Sequence, residues 1–377
     1  DLGIRGTTPR YVASGHILFA RSPGLLLAAP FSLRFRRVTG PESVLLDGVW
    51  LGGGGAAGYA VAGNGTIAFH RGQTGVRRSL VVVDHEGHER RIPGSAREFF
   101  APRVSPDGAR ILAGVGIDMA SAQTYVALID ATTGATSPIS QPGSGYLGAW
   151  SRDGSRALVA RRSAPTLGGD VVYEITSQPW DRSAGETVVA RELPRQPTQL
   201  AVAPSGGVAA MASVRGRYGS EVVVAPMDSL ASTRNFATVN GNRFAPSLSA
   251  DGRLLAWSSD ESGPQQVYVT PVPGPGPRLQ VSVDGGREPV WSRSGSTLFF
   301  RGPNRIMVAE ILHSPLRVGK LDSTLVDVYL RNARGETQGW DVFPGDREFL
   351  MVRQESTQSA LPEVILNWQQ LLAVRGG

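Results

Sequence analysis

Cysteine is absent from these 377 residues, which excludes disulfides and thiolate metal sites and leaves the redox compartment open. Lysine occurs once, at Lys320, so the positive charge is almost wholly arginine, a pattern that resembles coding bias more than a recognition device. No apolar run approaches the roughly 20 residues that a membrane-spanning helix needs, and the longest, 24–31, reads as a strand. Helical periodicity is scarce too. Only Ile365–Val374 could wind, briefly, and its first half reads equally well as a strand.

Catalytic signatures are also missing. There is no Gly-x-Ser-x-Gly elbow, no His-Glu-x-x-His and no glycine-rich phosphate loop. The run Gly52–Gly55 lacks a following Lys-Ser/Thr and reads as a link between repeats. Five histidines are available for acid–base work: His16, His70, His85, His88 and His313. Asp84-His85-Glu86-Gly87-His88 offers zinc-like ligands, but it sits between the strands Leu80–Val83 and Glu89–Ile92 with Gly87 where a hairpin needs positive φ. A solvated hairpin is the expected form. Asp118, Asp153, Asp251 and Asp260 are too scattered for a calcium loop. No catalytic residue, cofactor or metal is expected.

What is present is a repeat. An apolar strand, a tight turn and a second apolar strand recur with the turn near 15, 65, 108, 154, 206, 252, 295 and 346, at steps of 43 to 52 residues. Val104-Ser-Pro-Asp-Gly108-Ala-Arg-Ile-Leu112 and Trp150-Ser-Arg-Asp-Gly154-Ser-Arg-Ala-Leu158 show it plainly. Asp-Gly tolerates the positive φ of such a turn, and neighbouring Ser side chains can bond its backbone. The last copy, Val342-Phe-Pro-Gly-Asp346-Arg, has lost the turn glycine from its usual place. A third and often a fourth strand follow each turn. This period with four strands per repeat predicts an all-β chain: one β-propeller domain over 1–377, with eight four-stranded blades, or seven if the first and last copies share one. The last blade is assigned Trp340–Phe343, Glu348–Val352 and Glu363–Trp368, with residues 1–6 closing it. Trp150, Trp257 and Trp291 are expected to pack between blades instead of forming a ligand cage.

Ser258–Gly263, Val267–Gly276 and Val281–Ser292, with Thr8–Val12 and Val364–Trp368, resemble the TolB-like, WD40-like (PD40) propellers attached to bacterial membrane serine/threonine kinases. The kinase motifs themselves are not in this chain. The resemblance implies an exported, binding propeller without activity of its own. The expected role is an extrinsic scaffold subunit that docks on and stabilises a bacterial membrane protein complex, photosynthetic ones included by analogy. The alternatives are a periplasmic ligand sensor and a hydrolase or lyase with its site in the funnel.

The expected location is the periplasm or cell envelope, peripheral to the membrane. Starting at Asp1, the chain is expected to be a mature form after loss of a signal or anchor segment, simple trimming being the alternative. Net charge is +6, and residues 1–100 carry twelve arginines against seven acids. That makes contact with anionic lipid an expectation, whereas nucleic acid is not, since no recognition motif accompanies the charge. Rim insertions at 163–170, 178–185 and 331–339 nominate Pro165, Leu167, Pro179, Trp180, Arg331 and Arg334 as partner contacts, Trp180 as an anchor or folded back on its own blade.

Overall fold

A computed structural model describes residues 2–21, 24–51, 56–71, 77–94, 97–118, 123–163, 171–193, 195–202, 208–215, 219–226, 234–235, 241–272, 276–293, 295–331, 337–355 and 362–374. Strands dominate, and among these residues the α-helix is confined to Gln369–Val374. The chain packs as two compact units. Unit 1 is 1–77, 116–123 and 355–377; unit 2 is 78–115 and 124–354.

Unit 2 is built from six four-stranded antiparallel sheets. Five follow chain order: A from Glu98–Val104 to Thr136–Pro138, B from Gly145–Trp150 to Thr187–Leu193, C from Pro197–Val202 to Arg234–Asn235, D from Arg243–Leu248 to Leu279–Gln280 and E from Arg287–Trp291 to Leu316–Val326. Sheet F is composite. Asp341–Val342 and Glu348–Gln354 come from the end of the unit, and Arg78–Asp84 and Glu89–Arg91 from its beginning.

The strand alternation of period two explains how these sheets stack. In sheet F, Leu80, Val82, Leu350 and Val352 join Phe99 and Ile111 of sheet A. The intervening Val81, Val83, Phe349 and Met351 join Val290 and Phe299 of sheet E. Four further clusters, centred on Trp150, Leu158, Trp257 and Trp291, bind A to B, B to C, C to D and D to E. The six interfaces form a closed cycle, the propeller arrangement, and no sheet buries both faces alone.

All eight motifs build a sheet of their own, and six of these sheets make the cycle in unit 2. The first two motifs lie in unit 1. There Thr7–Val12, His16–Arg21, Leu25–Ser32 and Arg37–Val38 pair in order, with Ser43–Leu46 also on Leu25–Ser32. Tyr59–Val61, Ile67–Phe69 and Glu363–Ile365 form the second sheet. Leu18, Leu26, Val49, Ile67, Phe69 and Trp368 share the core of this unit.

Strand assignment of the last repeat is corrected accordingly. Residues 2–6 form no strand, Glu363–Ile365 pairs with Ile67–Phe69, and the strand that follows the Gly65 motif, Arg78–Asp84, completes sheet F instead. The cause is apolar demand on both faces: Leu80 through Val83 are all buried, as a central strand requires.

The turns have one construction. Gly108, Gly154 and Gly252 adopt φ of 76°, 69° and 72°, each donating its amide to the Ser three residues back. Asp153 takes hydrogen bonds from Ser151 Oγ (2.7 Å), Ser155 Oγ (2.7 Å) and the Ser155 amide (3.1 Å). In the last copy Asp346 occupies the glycine position, at φ 59°, and donates to Phe343 O. Gly206 lies outside the described residues.

Two outcomes follow from this packing. Trp291, buried between sheets D and E, should cost roughly 3–5 kcal/mol when replaced by Ala, read by urea unfolding. The hydroxyl bonds from Ser151 and Ser155 hold the Asp153 carboxyl down at about 2. A depressed carboxyl stabilises the fold above its unfolded pKa of about 3.9 and loses that contribution as pH falls toward the folded value. Melting temperature should therefore drop between about pH 4 and pH 2, and Asp153→Asn should flatten that part of the profile.

Candidate functional site

The first strand of each sheet in unit 2 faces a common cavity of about 260 Å³. Five residues before the turn position, the six copies place Arg103, Ala149, Ala201, Ser247, Val290 and Asp341 on its wall. One residue later come Trp150 and Trp291, among aliphatic neighbours. Small side chains at three of the six inner positions leave the space, and the repeat register brings them to one level. The turns add Arg152 and Arg293.

A backbone device sets these side chains. Ala101, Ala245 and Glu288 each precede a proline and adopt φ of 48°, 48° and 52°. The pairing register shifts at this point in sheets D and E. Such bulges re-aim the following residues while the strand continues.

Electrostatics of the wall are uneven. Arg103 is buried, with Nη1 donating to Pro102 O (2.6 Å) and Gln338 O (3.2 Å), while its Nη2 has no acceptor. Burial presses its pKa down, against the pull of Asp341 and Glu288. Asp341 is committed: Oδ2 accepts from the Val104 amide at 2.8 Å and Oδ1 from the Val342 amide at 2.9 Å. Trp150 donates to Arg103 O (3.0 Å), whereas the indole N–H of Trp291, equally buried, has no partner. Gln338 bridges the cavity wall through two 2.8 Å bonds with Gln199.

The packing half of the tryptophan expectation is met. All three pack between sheets, but Trp150 and Trp291 also line the cavity.

The nominated rim contacts fall elsewhere. Pro165, Leu167 and Arg334 lie outside the described residues. Pro179 is buried, and the Trp180 ring lies 3.5 Å from the Arg110 guanidinium, against the A–B core. Gln178 and Arg182, on either side, donate to Ile139 O and Pro138 O. The Trp180 segment is folded back on its own unit. Arg331 bonds Pro303 O (2.6 Å) and Asp327 (2.8 Å), beside the buried Arg301–Asp327 pair with its two 2.8 Å bonds.

No described histidine lines the cavity. His85 is held by Asp346 O (2.7 Å) and Thr324 Oγ1 (2.8 Å) and packs on Phe349. His16 stacks edge-on to Trp368 in unit 1. Asp84, Glu86 and His88 do bring ligand atoms within 4.8 Å of one another on the predicted hairpin, with Gly87 at φ 90°. There Asp84 accepts from both the ring and the amide of His88, at 2.8 Å each, which raises the histidine pKa.

Sequence reasoning missed a second surface, in unit 1. The hairpin joining Leu25–Ser32 to Arg37–Val38 presents Leu33 and Phe35 at 60% and 63% exposure. Arg34 and Arg37 lie 5.5 and 5.7 Å from the Phe35 ring. With Arg36 they form no ion pair among the described residues. The string Leu33-Arg-Phe-Arg-Arg37 follows directly on the apolar run 24–31 that reads as a strand, and its arginines entered only the charge count of residues 1–100.

No protein-family model matches the chain, and no curated protein matches it in sequence. Among solved structures, a putative TolB from Agrobacterium tumefaciens is 17% identical over 75% of this chain and 99% of its own, with a TM-score of 0.55. TolB from Acinetobacter baumannii is 16% identical over 89% and 80%, at 0.46. An oligogalacturonate lyase in complex with manganese is 10% identical over 94% and 99%, at 0.49. At these identities the likeness concerns the fold. The chain has a TolB-like β-propeller fold.

Proposed function

We propose that this chain is a non-catalytic envelope protein, an extrinsic interaction subunit that docks where a membrane protein complex meets its lipid surface. The observation that carries this is the Leu33–Arg37 hairpin tip. Two large apolar side chains stand in solvent between three arginines, a pairing suited to the boundary between acyl chains and anionic headgroups. Eight of the twelve exposed large apolar side chains among the described residues belong to unit 1.

Support for binding over chemistry comes from the unit 2 cavity. Its serines are engaged in structure: Ser151 with Asp153, Ser247 with the Trp291 amide and Ser292 with Asp346. Its carboxylate Asp341 is tied to two backbone amides. Among the described residues no histidine stands beside these hydroxyls in the cavity lining.

The wild-type chain should co-sediment with vesicles containing phosphatidylglycerol and not with neutral ones. Near-surface arginines contribute about 1 kcal/mol each, so Arg34→Gln/Arg36→Gln/Arg37→Gln should weaken the interaction roughly a hundredfold. Leu33→Ser/Phe35→Ser should abolish it at unchanged melting temperature, and should also lose co-purification with solubilised membrane complexes. Retention of both by the two variants would rule out this docking surface.

A further inference from the structure

We propose that the unit 2 cavity is a binding site for a small carboxylate with an apolar body, a site separate from the docking surface of unit 1. The fold leaves buried donors on the cavity wall without a hydrogen-bond partner. Arg103 is 8% exposed and Trp291 5%, both line the cavity, and Arg103 Nη2 and Trp291 Nε1 lack any acceptor. Buried donors of this kind are rare in proteins, because each forfeits its hydration without return.

Charge fixes the sign of the occupant. Arg103, Arg152 and Arg293 line the cavity against one carboxylate, Asp341, whose oxygens already accept from the Val104 and Val342 amides. Arg293 Nη2 is used on Val104 O at 2.8 Å and its Nε also lacks an acceptor, but among the three arginines only Arg103 is buried as a whole residue. One desolvated guanidinium edge and one neutral N–H match a monoanion. A phosphate dianion would need more buried positive charge than the wall supplies.

Size and polarity fix the rest. The volume of about 260 Å³ lies below the roughly 300–1,000 Å³ of drug-sized sites, so the occupant is small. Trp150, Leu200, Val202 and Leu248 give the remaining wall an apolar character. A short aliphatic or aryl-alkyl acid meets all three conditions: one oxyanion, an apolar tail and low volume.

Calorimetric titration of the full chain tests this with hexanoate and 3-phenylpropionate against hexanamide and 3-phenylpropionamide. Saturable binding of at least one acid is expected, weaker by about tenfold or more for its amide, the size of one charge-assisted bond. Arg103→Met should abolish binding. Because this buried change can disturb folding, Trp291→Phe provides a second arm: it keeps an aromatic ring in the D–E core, removes the N–H and should weaken binding about fivefold. Equal affinity for acid and amide, failure of both acids to saturate, or unchanged affinity in the folded Trp291→Phe variant would overturn the assignment.

Discussion

Unit 2 depends on seven backbone pairs between Glu348–Gln354 and Arg78–Asp84. Five of its sheets are local meanders, and each could pair its strands without help. What turns a row of meanders into a cycle is the sixth sheet, which must serve the first and the fifth at once. Its two central strands are apolar on both faces for that reason. His85 and the Arg301–Asp327 pair reinforce the E–F junction from opposite chemical directions, one through hydrogen bonds to Asp346 and Thr324, the other as a fully buried ion pair. Removing one partner of such a pair is costly, because the other stays buried and charged.

Much of this was legible in residues. Turn chemistry survives its own substitutions: Asp346 takes the left-handed position that Gly108 and Gly154 hold elsewhere, so the motif could be counted even where its glycine had moved. The membership of each sheet was harder. Arg78–Asp84 follows the Gly65 motif in sequence, and nothing local distinguishes a third strand of that repeat from a closing strand of the last. Periodicity reports that a strand has two buried faces, but not which neighbours bury them. Glu363–Ile365 went astray for the same reason, and there the Arg71–Glu363 ion pair, at 2.7 Å, is a contact no spacing rule foretells.

The candidate site was half visible. Counting back five residues from each turn names all six inner wall positions, so the register was available from the motif itself. What the motif does not say is that three of the six are small enough to leave a cavity between them, or that Arg103 keeps one edge of its guanidinium unused. Those are properties of a layer assembled from six distant segments. Trp180 illustrates the converse: a loop tryptophan left two readings open, and the Arg110 guanidinium against its ring is a contact the spacing does not foretell.

Closure by the two ends of the unit also governs its birth on the ribosome. The bond of His85 to Asp346 spans 261 positions. At synthesis rates of about 5–20 residues per second, the Arg78–Asp84 strand waits roughly 13–50 s for its partner. During that interval its apolar faces are uncovered on at least one side and the edge that will pair with Glu348–Gln354 lacks its ladder, while the other edge can pair at once with Glu89–Arg91. A nascent chain of this design has reason to be held by a chaperone, or kept threaded, until the last repeat emerges.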